Sequence, residues 1–250
     1  MFGNVGVDWA KTGDDGRVRK YNAFFTARNA QLLGGDNFPY PFRIKTLLPN
    51  YREFDDTRHF YSLRKLASER GVKVETLLQP VHLDLAGRTI NLGCLLCEDG
   101  WSNDYSVKPL AIMSHNGPVD LFINISSSPY TLGKNNKRNR IFSQQSQQAG
   151  VPLIYVNNVG IQNIGKTVYT FDGFSTVYNR SGEIISYCRP FTQTLQYVEF
   201  NLATGNDNIP PVTVPDDRGI ETIYEALVYG IEHFLASIGL KKVVIGISGL

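Results

Sequence analysis

Cysteine is scarce in this sequence: Cys94, Cys97 and Cys188 are the three thiols in 250 residues. A disulfide framework needs more of them and an even number, so a reducing, cytoplasmic setting is expected. Histidine is nearly as rare. His59, His82, His115 and His233 lack the spacing of metal ligands, and no metal site is expected. Charge of one sign is missing too. A formal net charge of +2 makes no electrostatic case for nucleic acid or an anionic membrane. No apolar run approaches the ~20 residues of a membrane span. Residues 1–15 lack the basic-then-apolar layout of a signal peptide. What remains is an ordinary globular balance, 42% apolar and 19% charged, with enough material for a real core.

Reactive groups concentrate in residues 90–101, INLGCLLCEDGW, where an apolar strand runs into Cys97, Glu98, Asp99, Gly100 and Trp101. A free cysteine is commonly a buried structural residue. One that ends a strand beside two acids and an indole is a candidate nucleophile. The acids by themselves raise a thiol pKa, so a nucleophilic Cys97 requires a cation nearby. Cys94 and Cys97 also form C-x-x-C. Residues three apart on a strand point to opposite faces, which sets aside redox and zinc readings. Lys45, inside the apolar run 42–48, is either an edge-strand lysine that keeps its charge in water or the required cation. Residues 123–134, INISSSPYTLGK, end a strand in a loop that suits either a helix cap or a substrate-binding loop on the ligand side of an α/β sheet. The basic run Lys134, Lys137, Arg138 and Arg140 reads as a solvated helix face.

Periodicity and turn signals predict strands over 21–27, 42–48, 72–78, 81–85, 89–96, 120–125, 151–156, 167–171, 174–178, 184–188 and 196–201. The 21–33 segment is expected to pair with the chain beyond it, through the Gly34–Asn37 turn, as a hairpin. Helices are expected over 62–70, 105–115 and 134–149, with 51–61 an ordered loop. Strand–helix–strand and then a strand meander indicate a mixed, layered α/β domain. Residues 203–218 hold Gly205, Pro210, Pro211 and Pro215, a linker composition. A helix over 220–238, apolar at Ile220, Ile223, Leu227, Ile231 and Leu235, then leads to a buried strand over 243–247 and to Gly246-x-Ser248-Gly249. An α/β nucleotide-binding domain begins in this way. The helix is expected either to pack on the first domain or to stay loose.

Several motifs coincide with one family. Lys45-x-x-Leu48-Pro49-Asn50-Tyr51-x-x-Phe54-Asp55-Asp56, then Cys97-Glu98-Asp99-x-Trp101, then Asn124-x-Ser126-x-Ser128-Pro129-Tyr130-x-x-Gly133-Lys134, then Phe171-Asp172-Gly173-x-Ser175 resemble the nitrilase-type glutaminase domain of glutamine-dependent NAD synthetase. Ile223-Tyr224-x-Ala226-Leu227 and Lys241-Lys242-Val243-Val244-Ile245-Gly246-Ile247-Ser248-Gly249 resemble the start of that enzyme's synthetase domain. The resemblance implies an αββα sandwich and a Glu–Lys–Cys triad. Cys97 would be the nucleophile. Lys45 and the backbone N–H of Glu98 would stabilise the oxyanion. Tyr51, Phe54, Asp56, Ser128 and Lys134 would line the pocket for L-glutamine, and Gly246, Ser248 and Gly249 would begin an ATP-binding loop. It divides the chain into a glutaminase domain expected to lack its N-terminal part (1–202), a linker (203–218) and the start of an ATP-binding domain (219–250).

The sequence departs from the pattern in three places. No glutamate precedes Lys45, the first being Glu53. Asp56 stands where the family has glutamate. The chain ends Ser248-Gly249-Leu250 where the pyrophosphate loop would continue. The expectation is therefore a piece of such an enzyme. It would hold no cofactor itself, ATP and Mg belonging to the synthetase domain, and that domain and further copies of the chain would be its partners. Ligase activity is expected to be absent, and glutamine hydrolysis weakened by the ~10²–10⁴-fold that a general base supplies. A stand-alone nitrilase-type amidase, or a non-catalytic remnant or oligomerisation module, are the alternatives.

Overall fold

Residues 18–28, VRKYNAFFTAR, form a strand that is covered on both faces. Tyr21 and Ala23 are buried on one side, Phe24 and Thr26 on the other. Such a strand requires a layer above and a layer below it. In the computed structural model, which describes residues 1–34, 38–52, 54–202 and 209–247, both layers are present.

This strand, β2 (Val18–Arg28), is the centre of a small antiparallel sheet with β1 (Phe2–Thr12), β3 (Gln31–Leu33) and β4 (Arg43–Ile44). The long hairpin of β2 is with β1, which precedes it; the expected pairing with the chain beyond is present but short, through β3 and, past the 35–37 segment, β4 at Ala23–Ile44 and Phe24–Arg43. The glycines and aspartate of residues 3–8 mask a period of two, and much of β1 is exposed. Residues 35–37 of the expected turn lie outside the described residues.

The larger sheet has the order β12 (Ile184–Tyr187), β11 (Thr176–Tyr178), β8 (Leu153–Asn157), β7 (Leu121–Ser126), β6 (Arg88–Leu96), β5 (Val81–Leu85). Strands β6, β7 and β8 are parallel and the outer ones antiparallel. The β5–β6 hairpin turns at Ala86 and Gly87, both at positive φ (49° and 79°), as a two-residue turn matched to strand twist requires. Alternation along β6 sends Leu92, Cys94 and Leu96 inward against Phe24 and Ile123, which joins the sheets. It sends Leu95 outward, where Phe122, Leu153, Tyr155 and Tyr178 meet Leu110 and Met113 of α4 (Pro109–Asn116) and Phe142 of α5 (Lys134–Ala149). Beneath the small sheet, Leu63, Leu66 and Ala67 of α2 (Leu63–Glu69) cover Tyr21, Phe42 and Ile44. The result is helix–sheet–sheet–helix.

Several expected strands are absent. Residues 72–78 form a helical turn, α3 (Val74–Leu77), with Leu77 and Leu78 both buried. Of residues 42–48 only β4 is strand. The amide groups of Thr46 and Leu47 donate to the Asp99 carboxylate instead of to a neighbouring strand. Asp56–His59 is a single helical turn, α1, inside the expected loop. Residues 196–201 and 243–247 find no partner strand; Tyr197 is 85% exposed and Val244 fully exposed. A missed strand, β9 (Val159–Asn163), pairs with β10 (Val168–Asp172) as a separate ribbon.

Helix α6 (Ile220–Ser237) rests on that ribbon, but not by its apolar stripe. Ala226 is buried, and the Tyr229 ring lies 5.3 Å from that of Phe191. Ile220, Leu227 and Ile231 remain 58–71% exposed. Of the expected linker, residues 203–208 lie outside the described residues, and Asp217 is 5% exposed. No helix among the described residues is long and apolar enough to cross a membrane.

Candidate active site

The carboxyl ends of the three parallel strands share one edge, the usual ligand side of such a sheet. Cys97 lies just beyond β6, Ser126 ends β7 and Asn157 ends β8. Cys97 opens a 3-10 turn, Cys97–Asp104, with φ of 43°, a left-handed conformation that costs an L-residue about 1–2 kcal/mol. Strain of this kind persists where surrounding contacts over-determine it. Here the carbonyl of Cys97 accepts from Asn124 Nδ2 at 3.3 Å, and Asn124 is fully buried. Gly100 is packed so closely that a Cβ would overlap Phe142 and lie 2.5 Å from Asn124 Nδ2.

Asp99 locks the turn to the loop that carries Lys45. Its carboxylate accepts from Thr46 N (3.0 Å), Leu47 N (2.8 Å) and Leu96 N (3.3 Å). Burial pushes its pKa up to about 6, although those N–H groups and the Lys45 ammonium pull the other way. Lys45 is 3% exposed, which excludes the edge-strand alternative. Its Nζ lies 2.6 Å from Asp56 Oδ2. Burial favours the neutral amine, yet the negative charges of Cys97, Asp56 and Asp99 hold its pKa above the ordinary value. A buried cation therefore shares the wall of a cavity with Cys97 and interacts with it electrostatically. Cys94 lies on the inner face, its thiol pushed up to about 12 by burial; both cysteines are free.

Two cavities meet at Cys97 and Phe54. The larger, about 780 Å³, is lined by Tyr51, Glu98, Trp101, Tyr105, Ser128 and Lys134 among others. The smaller, about 570 Å³, has Lys45, Asp56, Leu96 and Ser126 in its wall. Four of the five residues expected around glutamine, Tyr51, Phe54, Ser128 and Lys134, thus share the larger cavity with Cys97. Asp56 lies apart from them: its short side chain is engaged by Lys45 across the smaller one. Glu98 also brings its side chain to the cavity wall. Its buried carboxylate accepts from the hydroxyls of Tyr51 (2.9 Å) and Tyr105 (2.8 Å). Its place directly after Cys97 was the available signal, whereas nothing local to Tyr105 marks it.

Arg138 corrects the reading of α5 as a solvated face. It is 0% exposed, 3.5 Å from Asp172 Oδ2, with its guanidinium 4.7 Å from the centre of the Tyr155 ring. Asp172 also accepts from Asn157 Nδ2 (3.3 Å), and Asn157 Oδ1 accepts from the backbone N–H of Ser128 (2.8 Å). A buried charge pair thereby holds the cavity loop. Lys137, on the exposed side, lies 5.9 Å from the centre of the Trp101 ring. Of the expected ATP loop, Gly246 is exposed and Ser248 and Gly249 lie outside the described residues. Among the described residues no group of His, Cys, Asp and Glu is arranged to hold a metal ion.

Fold and site together define a nitrilase-like αββα sandwich with a cysteine–lysine centre. A carbon-nitrogen hydrolase from Helicobacter pylori G27 shares the fold at 17% identity, with a TM-score of 0.52 over 75% of this chain and 57% of that one. No protein-family model matches the chain. It is a relative of the glutamine-dependent NAD(+) synthetases. The enzyme of Synechocystis sp. is 32% identical over 212 residues, covering 82% of this chain and 34% of its own length. That of Thermotoga maritima is 28% identical over 277 residues, covering 98% and 43%. The solved structure of the Acinetobacter baumannii glutamine-dependent NAD+ synthetase, in complex with ADP, superposes with a TM-score of 0.71 at 28% identity, over 95% of this chain and 38% of that one. The chain spans about a third to two fifths of the length of these relatives.

Proposed function

We propose that this chain is the ammonia-releasing part of a glutamine-dependent NAD synthetase, with residues 1–202 as its glutaminase domain and 219–250 leading into a synthetase domain. The observation that carries the reading is the buried Lys45 ammonium, electrostatically coupled to a left-handed Cys97 whose cavity wall it shares.

The sulfur of Cys97 attacks the side-chain amide carbon of L-glutamine. Negative charge develops on the amide oxygen, and Lys45 with the backbone N–H of Glu98 stabilises it. The carbon–nitrogen bond breaks, the nitrogen leaves as ammonia carrying the proton that the Cys97 thiol gave up, and a glutamyl thioester remains. Water then adds to the thioester carbon, releasing glutamate and regenerating the thiol. The Glu98 carboxylate faces the α-ammonium of the substrate, Lys134 and Ser128 lie toward its carboxylate, and Tyr51 and Phe54 flank its methylenes. Asp56 orients Lys45 rather than the substrate.

The ammonia serves the ATP-dependent amidation of nicotinic acid adenine dinucleotide to NAD. ATP and Mg act there on the synthetase domain, to which Gly246, Ser248 and Gly249 belong. The setting is cytoplasmic and the assembly a homo-oligomer.

A diazoketone analogue of glutamine tests the reading without requiring turnover. It should modify Cys97 once per chain, glutamine should protect, and Cys97→Ala should abolish labelling. Lys45→Met should slow it about 10²–10³-fold, the usual cost of losing an oxyanion partner. Labelling without glutamine protection would refute the substrate, and equal protection by simple amides would favour a stand-alone amidase.

A further inference from the structure

Half of the wall around the glutamine cavity comes from the loop after β7 and the first turns of α5, including Ser128, Gly133, Lys134 and Lys137. The position of that helix start therefore bears on binding. Its N-terminus is unusual. The residue at the cap is Gly133, with no side chain to satisfy the first amide groups, which have no partner inside a helix.

The missing acceptor arrives from the stretch whose composition marks it as linker. Asp217 is 5% exposed, and its Oδ2 accepts from Asn135 N at 2.7 Å while its Oδ1 accepts from Asn136 N at 3.2 Å. Its backbone carbonyl accepts from Gly133 N at 3.3 Å and from Thr222 Oγ1 at 3.1 Å. The neighbouring Asp216 takes the Asn136 side-chain amide at 2.6 Å. A second tie runs from Tyr130, whose hydroxyl lies 2.9 Å from Thr222 Oγ1 and whose ring packs on Phe191, which in turn meets Tyr229 of α6. Residues 130–136 are thus gripped from one side by 216–229.

We infer that Asp217 is a positioning residue of the glutamine cavity: by capping α5 in place of Gly133 it sets the wall that carries Gly133, Lys134 and Lys137, and it makes glutamine affinity depend on the seating of α6. This rests on the glutamine reading above. The inference concerns binding and not bond-breaking, since Asp217 is absent from the cavity lining and Cys97, Lys45 and Glu98 belong to other elements. An acidic side chain at a helix start also compensates the positive end of the helix dipole, so charge as well as hydrogen bonding is lost on substitution.

The experiment is the concentration dependence of Cys97 labelling by the diazoketone analogue of glutamine, in the full chain and in Asp217→Ala and Asp217→Asn. For Asp217→Ala the concentration giving half-maximal rate should rise about threefold to tenfold, in the range of losing an ordinary helix cap. The limiting rate at saturation should stay unchanged. Asp217→Asn keeps one acceptor oxygen and should fall between the two; it also carries the test if the alanine variant does not fold. Amide exchange at Asn135 and Asn136 should accelerate in both variants. An unchanged half-maximal concentration overturns the inference and leaves the glutamine reading intact, as does a lowered limiting rate with unchanged half-maximal concentration. If wild-type Cys97 is not labelled at all, the glutamine reading has failed, and unchanged exchange at Asn135 and Asn136 then overturns the clamp separately.

Discussion

Arg138 and Asp172 form the most demanding interaction in the core, and removing one partner or both separates what the pair contributes from what it costs. Arg138 is fully buried, and its Nε and Nη2 have no hydrogen-bond partner. One nitrogen is shared between Asp172 Oδ2 at 3.5 Å and Asn135 Oδ1 at 3.3 Å. Burial raises the Asp172 pKa even though Arg138 opposes the shift. The pair is therefore desolvated without the dense hydrogen bonding that would offset it. Arg138→Met leaves a carboxylate in the core without its adjacent guanidinium, a change that typically costs about 3–5 kcal/mol. For a chain of this size each kcal/mol corresponds to about 2–4 °C in Tm. The expected loss is therefore about 6–20 °C. In Arg138→Met/Asp172→Asn the charge disappears with its partner, and the side-chain amide oxygen introduced by the second substitution still accepts from Asn157. The double variant should recover at least about 2 kcal/mol of the loss, a coupling expected of groups in direct contact. Urea denaturation of the four chains, with the m-value shared, gives the cycle. An Arg138→Met cost below about 1 kcal/mol, or a double variant as unstable as the sum of the singles, would refute the reasoning.

Gly100→Ala should destabilise by about 2–3 kcal/mol, because the added carbon overlaps Phe142, which is itself packed 5.0 Å from Tyr155; it should also slow Cys97 labelling by shifting Asn124, and an unchanged urea midpoint would contradict this. Asp99 imposes a pH dependence: its folded pKa of about 6 lies above the unfolded ~3.9, so the folded state holds the extra proton between those values. Stability from this group is complete below about pH 4 and is lost by about 3 kcal/mol as pH rises through 6. Urea midpoints measured from pH 4 to 7 should fall more steeply for the wild type than for Asp99→Asn, and parallel profiles would refute the assignment. The exposed Ile220, Leu227 and Ile231 form an uncovered apolar stripe, so the isolated chain should self-associate with concentration. Leu227→Glu/Ile231→Glu should lower its apparent mass in sedimentation without changing Cys97 labelling.

Parts of the fold were legible where one element's own pattern decides its fate. Strands β5, β6 and β7 and helices α2, α4 and α5 agree with alternation, helical spacing and the glycine that ends α5 in a left-handed conformation. Strand β1 was not legible, since its hydrophobic content is modest and the edge of β2 pairs it. Residues 243–247 show the converse, a strong β-branched run that finds no partner edge. Among site residues, Cys97 stood out because strand, thiol, acids and indole are neighbours in the chain. Arg138 was misread because surface and core arginines look alike when their partners are far away in sequence.

Local sequence was enough to single out Cys97 as a candidate nucleophile and to indicate a mixed, layered α/β domain, because these rest on residues adjacent in the chain and on short-range periodicity; the αββα class came from the family resemblance of the loop motifs. It took the folded chain to show that Lys45 is buried in the cavity wall it shares with Cys97, that Asp56 turns to Lys45, that the Glu98 carboxylate accepts from Tyr51 and Tyr105, and that Asp217 in an apparent linker caps α5. Each of these depends on a low-dielectric contact between groups remote along the chain. Burial and ion pairing are properties of where the chain returns to itself, which no local spacing records.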